Sequence, residues 1–252
     1  MGRTVVVSPH LDDAVLSCWR LLRTAPETTV VTCFAGIPAT AEGESRRYLE
    51  ARRSEDRAAL GDLEVSVEHL DFFDEPLRTG PAPGPALQAR LAPLLAGADT
   101  VAVPVAIGLH ADHVLARDAV LGWLREADRP PRTLLLLADI PYACWGGWPV
   151  WLRGGEERVV LHRLPGRTLR DPSTRTWLRS AIRSAGAFPW LSRATVVELT
   201  GQEQDEKLAS IRTYRTQADM LGFGPGGSAT SADTLRREVF WRIRPRARST
   251  GR

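Results

Sequence analysis

The apolar positions of this chain follow two alternating rhythms. Short unbroken runs, among them Val5-Val6-Val7 and the segments 29–34, 101–105 and 133–138, are separated by longer stretches in which apolar groups recur at helical spacing. An unbroken run has no polar face, so it predicts a strand covered on both sides, as in a parallel sheet. The predicted strands are 3–8, 29–34, 64–71, 100–105 and 133–138. Between them the spacing predicts helices over 13–23 (Val15, Leu16, Trp19, Leu22), 44–60, 86–95 and 112–126. The helix over 44–60 is highly charged, with many four-apart ion pairs. Strand-helix alternation of this kind predicts an α/β fold: a single Rossmann-like domain with a mostly parallel sheet flanked by helices.

Beyond Asp139 the rhythm loosens. Residues 141–156 combine proline, glycine and three tryptophans, Trp145, Trp148 and Trp151, which suits a long loop near the end of the sheet. Segments 158–162 and 195–199 alternate as strands, and helices are expected near 174–185 and 202–220. No linker or repeat divides the chain, so residues 1–244 are expected to form one domain. The arginine-rich, apolar-poor end, 245–252, is expected to be a disordered basic tail.

Composition narrows the classes. The net charge of +3 over 252 residues is small, and 43% hydrophobic with 25% charged residues is ordinary for a folded, water-exposed domain. Lys207 is the one lysine among 33 basic residues, and no basic stripe of the kind nucleic acid requires is present. Cys18, Cys33 and Cys144 are too scattered for a disulfide framework or a zinc knuckle. No leader pattern and no run of membrane-spanning length is visible. The expectation is a cytoplasmic protein with a small-molecule substrate and neither nucleic-acid nor membrane partners; a homo-oligomer is left open.

Chemistry concentrates in two clusters, Pro9-His10-Leu11-Asp12-Asp13 and His110-Ala111-Asp112-His113, which hold three of the five histidines. Each follows an apolar run, so neighbouring parallel strands would bring both to the carboxyl edge of the sheet, where open α/β folds place their sites. Imidazole and carboxylate together suit a borderline divalent ion such as zinc. The plainer alternative is that His10 ends a strand and the Asp pair caps the next helix. Two such clusters in the same strand-then-helix setting favour a metal site. His10 and Asp13, three apart across a turn, can face one ion, with His113 completing a facial set. Such a set leaves coordination positions open, as a catalytic zinc requires and a structural one does not. Asp12, adjacent but not needed as a ligand, could move protons.

The pair of motifs resembles the PIG-L/LmbE-like zinc-dependent N-deacetylases, which carry P-H-x-D-D and H-x-D-H on a Rossmann-like sheet. Arg52-x-x-Glu55, the stretch Leu137 to Ala143, and the series Lys207, Tyr214, Gln217 and Glu238-Val239-Phe240 extend the likeness over about residues 3–242. The resemblance implies one Zn²⁺ per chain on His10, Asp13 and His113, with Asp12 as general base. It also implies His110 as a charged donor to the oxyanion. Asp112 is expected to orient a histidine, or to cap the following helix. Some members carry a tyrosine two residues before the first histidine of H-x-D-H; here Gly108 stands there. Either zinc and His110 suffice, or Tyr142 supplies the hydroxyl. Arg52 and, on thinner grounds, Asp74 are expected to hold substrate hydroxyls, although an ion pair of Arg52 with Glu55 is as ordinary.

Other features carry less. The tryptophans of 145–151 suit either stacking on a ligand or anchoring of the loop. Gly222-x-Gly224-x-x-Gly227 lacks a strand-turn-helix setting and reads as a loop. His69 and His162, in expected strands, need no function. The implied activity is hydrolysis of an N-acyl, above all N-acetyl, amide of an amino sugar or a natural-product intermediate. The alternatives are an amidase for thiol-sugar conjugates of the mycothiol type and, from another class, a binding module with a vestigial or structural metal.

Overall fold

The computed structural model describes residues 2–144, 194–218, 221 and 235–245. The expected strand 158–162, helix 174–185, tryptophan loop, 222–227 loop and nearly all of the tail lie outside them.

Five strands, β1 (Thr4–Ser8), β2 (Thr28–Thr32), β3 (Ser66–His69), β4 (Thr100–Pro104) and β5 (Thr133–Leu137), are joined through helices α1 (Asp13–Thr24), α2 (Gly43–Gly61), α3 (Gly84–Leu95) and α4 (Ala111–Glu126). Two more strands, β6 (Ala194–Glu198) and β7 (Arg237–Ile243), flank helix α5 (Gly201–Ile211). The sheet order is β3-β2-β1-β4-β5-β7-β6. The first five strands run parallel, and β7 lies antiparallel to both β5 and β6. The sequence signalled β6 but not β7, which slots between β5 and β6 and carries Glu238-Val239-Phe240.

The order sets where a site can form. From β1 the chain winds outward through β2 to β3, then returns across the sheet to β4 and continues to β5. Right-handed crossovers put α1 and α2 on one face and α3 and α4 on the other. The contacts agree: α5 packs against α1 and α2, whereas α3 packs against α4. The reversal falls between β1 and β4, which pair as Thr4 with Thr100 and Val6 with Ala102. Their carboxyl ends diverge into opposite helical layers and leave a crevice between them. Val5, Val6, Val7, Val101, Ala102 and Val103 are fully buried, as unbroken runs in a doubly covered sheet should be.

Three departures have local causes. Strand β3 is shorter than 64–71: Glu64 has φ of 58°, a left-handed conformation no strand admits, and Asp71 makes only an isolated antiparallel bridge to Phe34. Helix α5, opened by a reciprocal capping box between Thr200 and Glu203, stops at Ile211 rather than 220. After it the chain turns so that the Tyr214 hydroxyl donates to Asp56 (2.8 Å) and the Gln217 amide donates to the Leu11 carbonyl (2.8 Å). Helix α1 is kinked at Cys18 (φ −148°), and the Arg20 N–H donates instead to the Glu238 carboxylate at 3.2 Å. Lys207, buried at 2.8 Å from Glu238, balances that charge. Among the described residues no helix is long and apolar enough to cross a membrane.

Candidate active site

The first cluster occupies the turn between β1 and α1. The Ser8 hydroxyl donates to the His10 carbonyl (2.8 Å) and accepts from the Ala14 N–H (3.2 Å), so one side chain sets the shape of the turn. The His10 N–H donates to Asp13 Oδ2 at 2.9 Å. Asp12 sits at the N-cap position of α1, yet its carboxylate makes no capping hydrogen bond. The capping alternative for Asp12 therefore does not describe this turn. Both carboxylates are buried, Asp12 at 5% exposure and Asp13 at 7%.

The second cluster follows β4 through a loop in which Ala106, Gly108 and Leu109 all have positive φ. The loop is pinned by the Ile107 N–H donating to Asp139 Oδ2 (2.8 Å). His110, not Asp112, caps α4: its Nδ1 accepts from the Asp112 N–H at 3.3 Å. Asp112, fully buried, accepts from the Glu75 N–H (2.9 Å) and from Arg78, and its Oδ2 lies 3.1 Å from His10 Nε2. The residue expected to orient a histidine thus meets His10, in the other cluster. Asp74 Oδ1 faces the same His10 nitrogen at 3.4 Å.

Three donors converge. Asp13 Oδ2 lies 3.3 Å from His10 Nδ1 and 3.1 Å from His113 Nε2. Bonds of about 2.0–2.1 Å in a tetrahedral zinc site put neighbouring ligand atoms about 3.3 Å apart. His113 is fully buried, and its Nδ1 lies 2.5 Å from Asp139 Oδ1. With that nitrogen as donor, Nε2 carries a lone pair, and this atom has no hydrogen-bond partner although it is buried. An orphaned imidazole lone pair beside a carboxylate oxygen and a second imidazole fits a divalent cation. His110 borders the same point, with a ring nitrogen within 4.8 Å of those of His10 and His113.

The electrostatics agree. Burial opposes charge on His10 and His113, but the hydrogen bonds that His10 donates to Asp112, Asp13 and Asp74 raise its pKa, and the charge of Asp13 with the hydrogen bonds that a protonated His113 donates to Asp13 and Asp139 raises His113 to about 9. The cluster therefore favours positive charge at its centre. Burial works against the Asp13 charge too, yet the two histidines hold its carboxyl well below the usual range. Asp12 behaves oppositely: burial, then repulsion from Asp13, pushes it up to about 7. Two adjacent carboxyls are driven apart, one permanently ionised and one able to exchange a proton near neutrality. His110 was expected to be charged. Burial, then the positive charges of His10 and His113, lower its pKa, and its Nδ1 is already an acceptor. The surroundings favour neutral imidazole with the hydrogen on Nε2.

Around this centre, Arg52 donates to Gln217 Oε1 (2.7 Å) and lies 3.7 Å from Asp74, while Glu55 accepts from Thr216 instead of pairing with Arg52. Tyr142 is half-buried, its ring centroid 5.1 Å from that of His113 and 5.8 Å from that of His110. A Cβ on Gly108 would lie 3.1 Å from the Tyr142 ring, and Gly108 has φ of +87°. Both features disfavour a side chain at 108, and Tyr142 takes the adjoining space.

Asp139, although part of the Leu137 to Ala143 stretch, was given no role by the sequence, and Arg78 was not singled out. Asp139 follows strand β5, and a carboxylate at a third strand end was the signal that could have found it. Arg78, held among loop residues, had none. His69, expected to need no function, bonds through Nε2 to Asp56 at 2.7 Å.

A parallel sheet with a cation-ready histidine-carboxylate cluster at its switch point, flanked by a proton-exchanging carboxyl, defines a metal-dependent hydrolase class. Residues 5–124 match the family model described as PIG-L, GlcNAc-PI de-N-acetylase. The 2'-N-acetylparomamine deacetylase of Streptomyces fradiae is 32% identical over 241 residues, covering 86% of this chain and 74% of the relative. The solved A40926 pseudoaglycone deacetylase superposes with a TM-score of 0.66 at 26% identity, covering 98% of this chain and 99% of that one. A deacetylase of teicoplanin biosynthesis gives 0.65 at 21% identity, covering 96% and 98%. The chain belongs to the PIG-L/LmbE family of deacetylases.

Proposed function

We propose that the protein hydrolyses the N-acetyl amide of an amino sugar within a natural-product glycoside, with one zinc ion held by His10, Asp13 and His113. The observation that carries this reading is the convergence of His10 Nδ1, Asp13 Oδ2 and the orphaned His113 Nε2 beside Asp12. The relatives support the substrate class: one acts on N-acetylparomamine, another on the A40926 pseudoaglycone. When bound, the cation supplies Lewis-acid polarisation and eases ionisation of a water.

The remaining steps fall to side chains. Asp12, ionised, accepts a proton from the attacking water as the water oxygen bonds to the acyl carbon. As the carbon–nitrogen bond breaks, Asp12 returns that proton to the departing nitrogen, leaving acetate and a free amine. His110, through Nε2–H, donates to the carbonyl oxygen as that atom gains negative charge. Tyr142 is the second donor, in place of the tyrosine that Gly108 excludes. Asp112 fixes the His10 ring and Asp139 the His113 ring; Arg52 and Asp74 hold sugar hydroxyls.

The test is acetate release from a panel of N-acetylated amino-sugar glycosides, with and without chelator. Chelator-sensitive release from at least one is expected; no release from any, by zinc-loaded protein, counts against hydrolysis.

A further inference from the structure

Gln217 is buried at 1% exposure and has no part in the steps proposed above. Both ends of its amide are used. Nε2 donates to the Leu11 carbonyl at 2.8 Å, and Oε1 accepts from Arg52 at 2.7 Å. The Leu11 carbonyl and the Asp12 N–H belong to one peptide unit, which is planar. A bond that fixes that carbonyl therefore fixes the plane from which Asp12 projects. The Asp12 N–H donates back to the His10 carbonyl at 3.0 Å. The carboxylate of Asp12 makes no capping hydrogen bond of its own, so its placement falls to the backbone.

The segment that carries Gln217 is itself anchored to α2. The Tyr214 hydroxyl donates to Asp56 Oδ1 at 2.8 Å, and the Thr216 hydroxyl donates to Glu55 at 2.6 Å. The Thr216 N–H reaches the same Glu55 carboxylate at 3.2 Å, and the Tyr48 hydroxyl donates to the Thr216 carbonyl at 3.4 Å. Arg52 lies on that helix one turn before Asp56. A buried amide needs partners in any protein. What is particular here is the pair: one partner is the peptide of the base, the other the arginine that meets the sugar.

We propose that Gln217 is a positioning residue: its amide holds the Leu11–Asp12 peptide and Arg52 in a fixed relation, so that the proton-accepting carboxylate is set against the bound sugar. This rests on the deacetylation reading and deepens it. Groups that act on one substrate from different elements need such a brace, because small misplacements of a reacting group are costly.

The test uses the zinc-loaded full chain and the methyl glycoside of N-acetylglucosamine. Gln217→Glu keeps an acceptor for Arg52 and loses the donor to Leu11. Gln217→Met, of similar shape, loses both and adds no charge, so it also serves if the glutamate variant fails to fold. Tyr214→Phe removes a bond between the same segment and α2 and is the control for lost stability. Amine release gives kcat and KM, while hydrogen exchange of the amides of residues 11–14 needs no turnover. Both Gln217 variants should bind zinc as the wild type does and exchange these amides faster by about 10-fold, the worth of the lost hydrogen bond. They should lose about 10–100-fold in kcat, and KM should rise in the methionine variant alone. Tyr214→Phe should keep both kcat and the exchange of these amides near those of the wild type. Unchanged exchange in the Gln217 variants, an unchanged kcat, or a kcat loss as large in Tyr214→Phe would overturn the proposal. If the wild type releases no amine, the hydrolysis reading is what fails, and exchange decides: acceleration in the Gln217 variants but not in Tyr214→Phe supports the brace, and its absence overturns it.

Discussion

Two neighbouring aspartates with opposite proton behaviour are the smallest unit of this account. Asp13 is held ionised by His10 and His113, whereas Asp12, buried and repelled by Asp13, rises to about 7. A base must be ionised to accept a proton, so kcat/KM should fall as pH drops through an acid limb. That limb should lie at or below about pH 7, because a bound cation can only pull Asp12 downward. Asp12→Asn should abolish the limb with metal content unchanged; a persisting limb would assign it to another group. His110→Ala should lower turnover by on the order of 10²–10³, the worth of one oxyanion donor. It should leave any alkaline limb in place, since His110 acts neutral; disappearance of that limb would mean that it acts as imidazolium. Asp139→Asn, which removes the acceptor that fixes the His113 tautomer, should weaken zinc affinity by about 10–100-fold, measured by competition with a chromophoric chelator. The paired motifs announced His10, Asp12, Asp13, His110 and His113 in the sequence. Asp139 did not show itself, because a lone carboxylate after a strand is common and its partner lies 26 residues away.

At the scale of elements, the strands and helices of the first half were legible because each is buried on a face its own period defines. What was not legible came from bonds between distant segments. Strand β7 lies in a segment whose apolar positions are mixed with arginines, and it is fixed by pairing with both β5 and β6. The early end of α5 reflects the hold of Asp56 and Leu11 on Tyr214 and Gln217. The kink of α1 belongs to the same kind. The chain's one lysine is buried there against the carboxylate that receives the Arg20 N–H. Lys207→Met leaves Glu238 buried and unpaired, at a cost of about 3–5 kcal/mol, read from urea unfolding. Adding Glu238→Gln removes the orphaned charge and should recover much of that loss. An unchanged midpoint in the single variant would show that the pair is not what steadies this junction.

For the whole molecule, the parallel sheet and its switch point turn two motifs about a hundred residues apart into one centre. The alternation of runs and periodic stretches conveyed that architecture, since a parallel sheet covered on both sides allows few other patterns. The pocket's outer parts could not be read in the same way: Arg78 on Asp112 and Tyr142 over Gly108 both depend on which loops meet. In the mechanism proposed above, one cation on His10, Asp13 and His113, served by Asp12, drives amide hydrolysis. The most direct measurement titrates zinc into chelator-stripped protein and follows acetate release from an N-acetylated amino-sugar glycoside, for wild type and Asp12→Asn together. Activity of the wild type should rise to a plateau at one zinc per chain, while the variant binds the same zinc and releases acetate slower by on the order of 10²–10⁴. Full release by the stripped protein, or a variant as active as the wild type, would contradict the account.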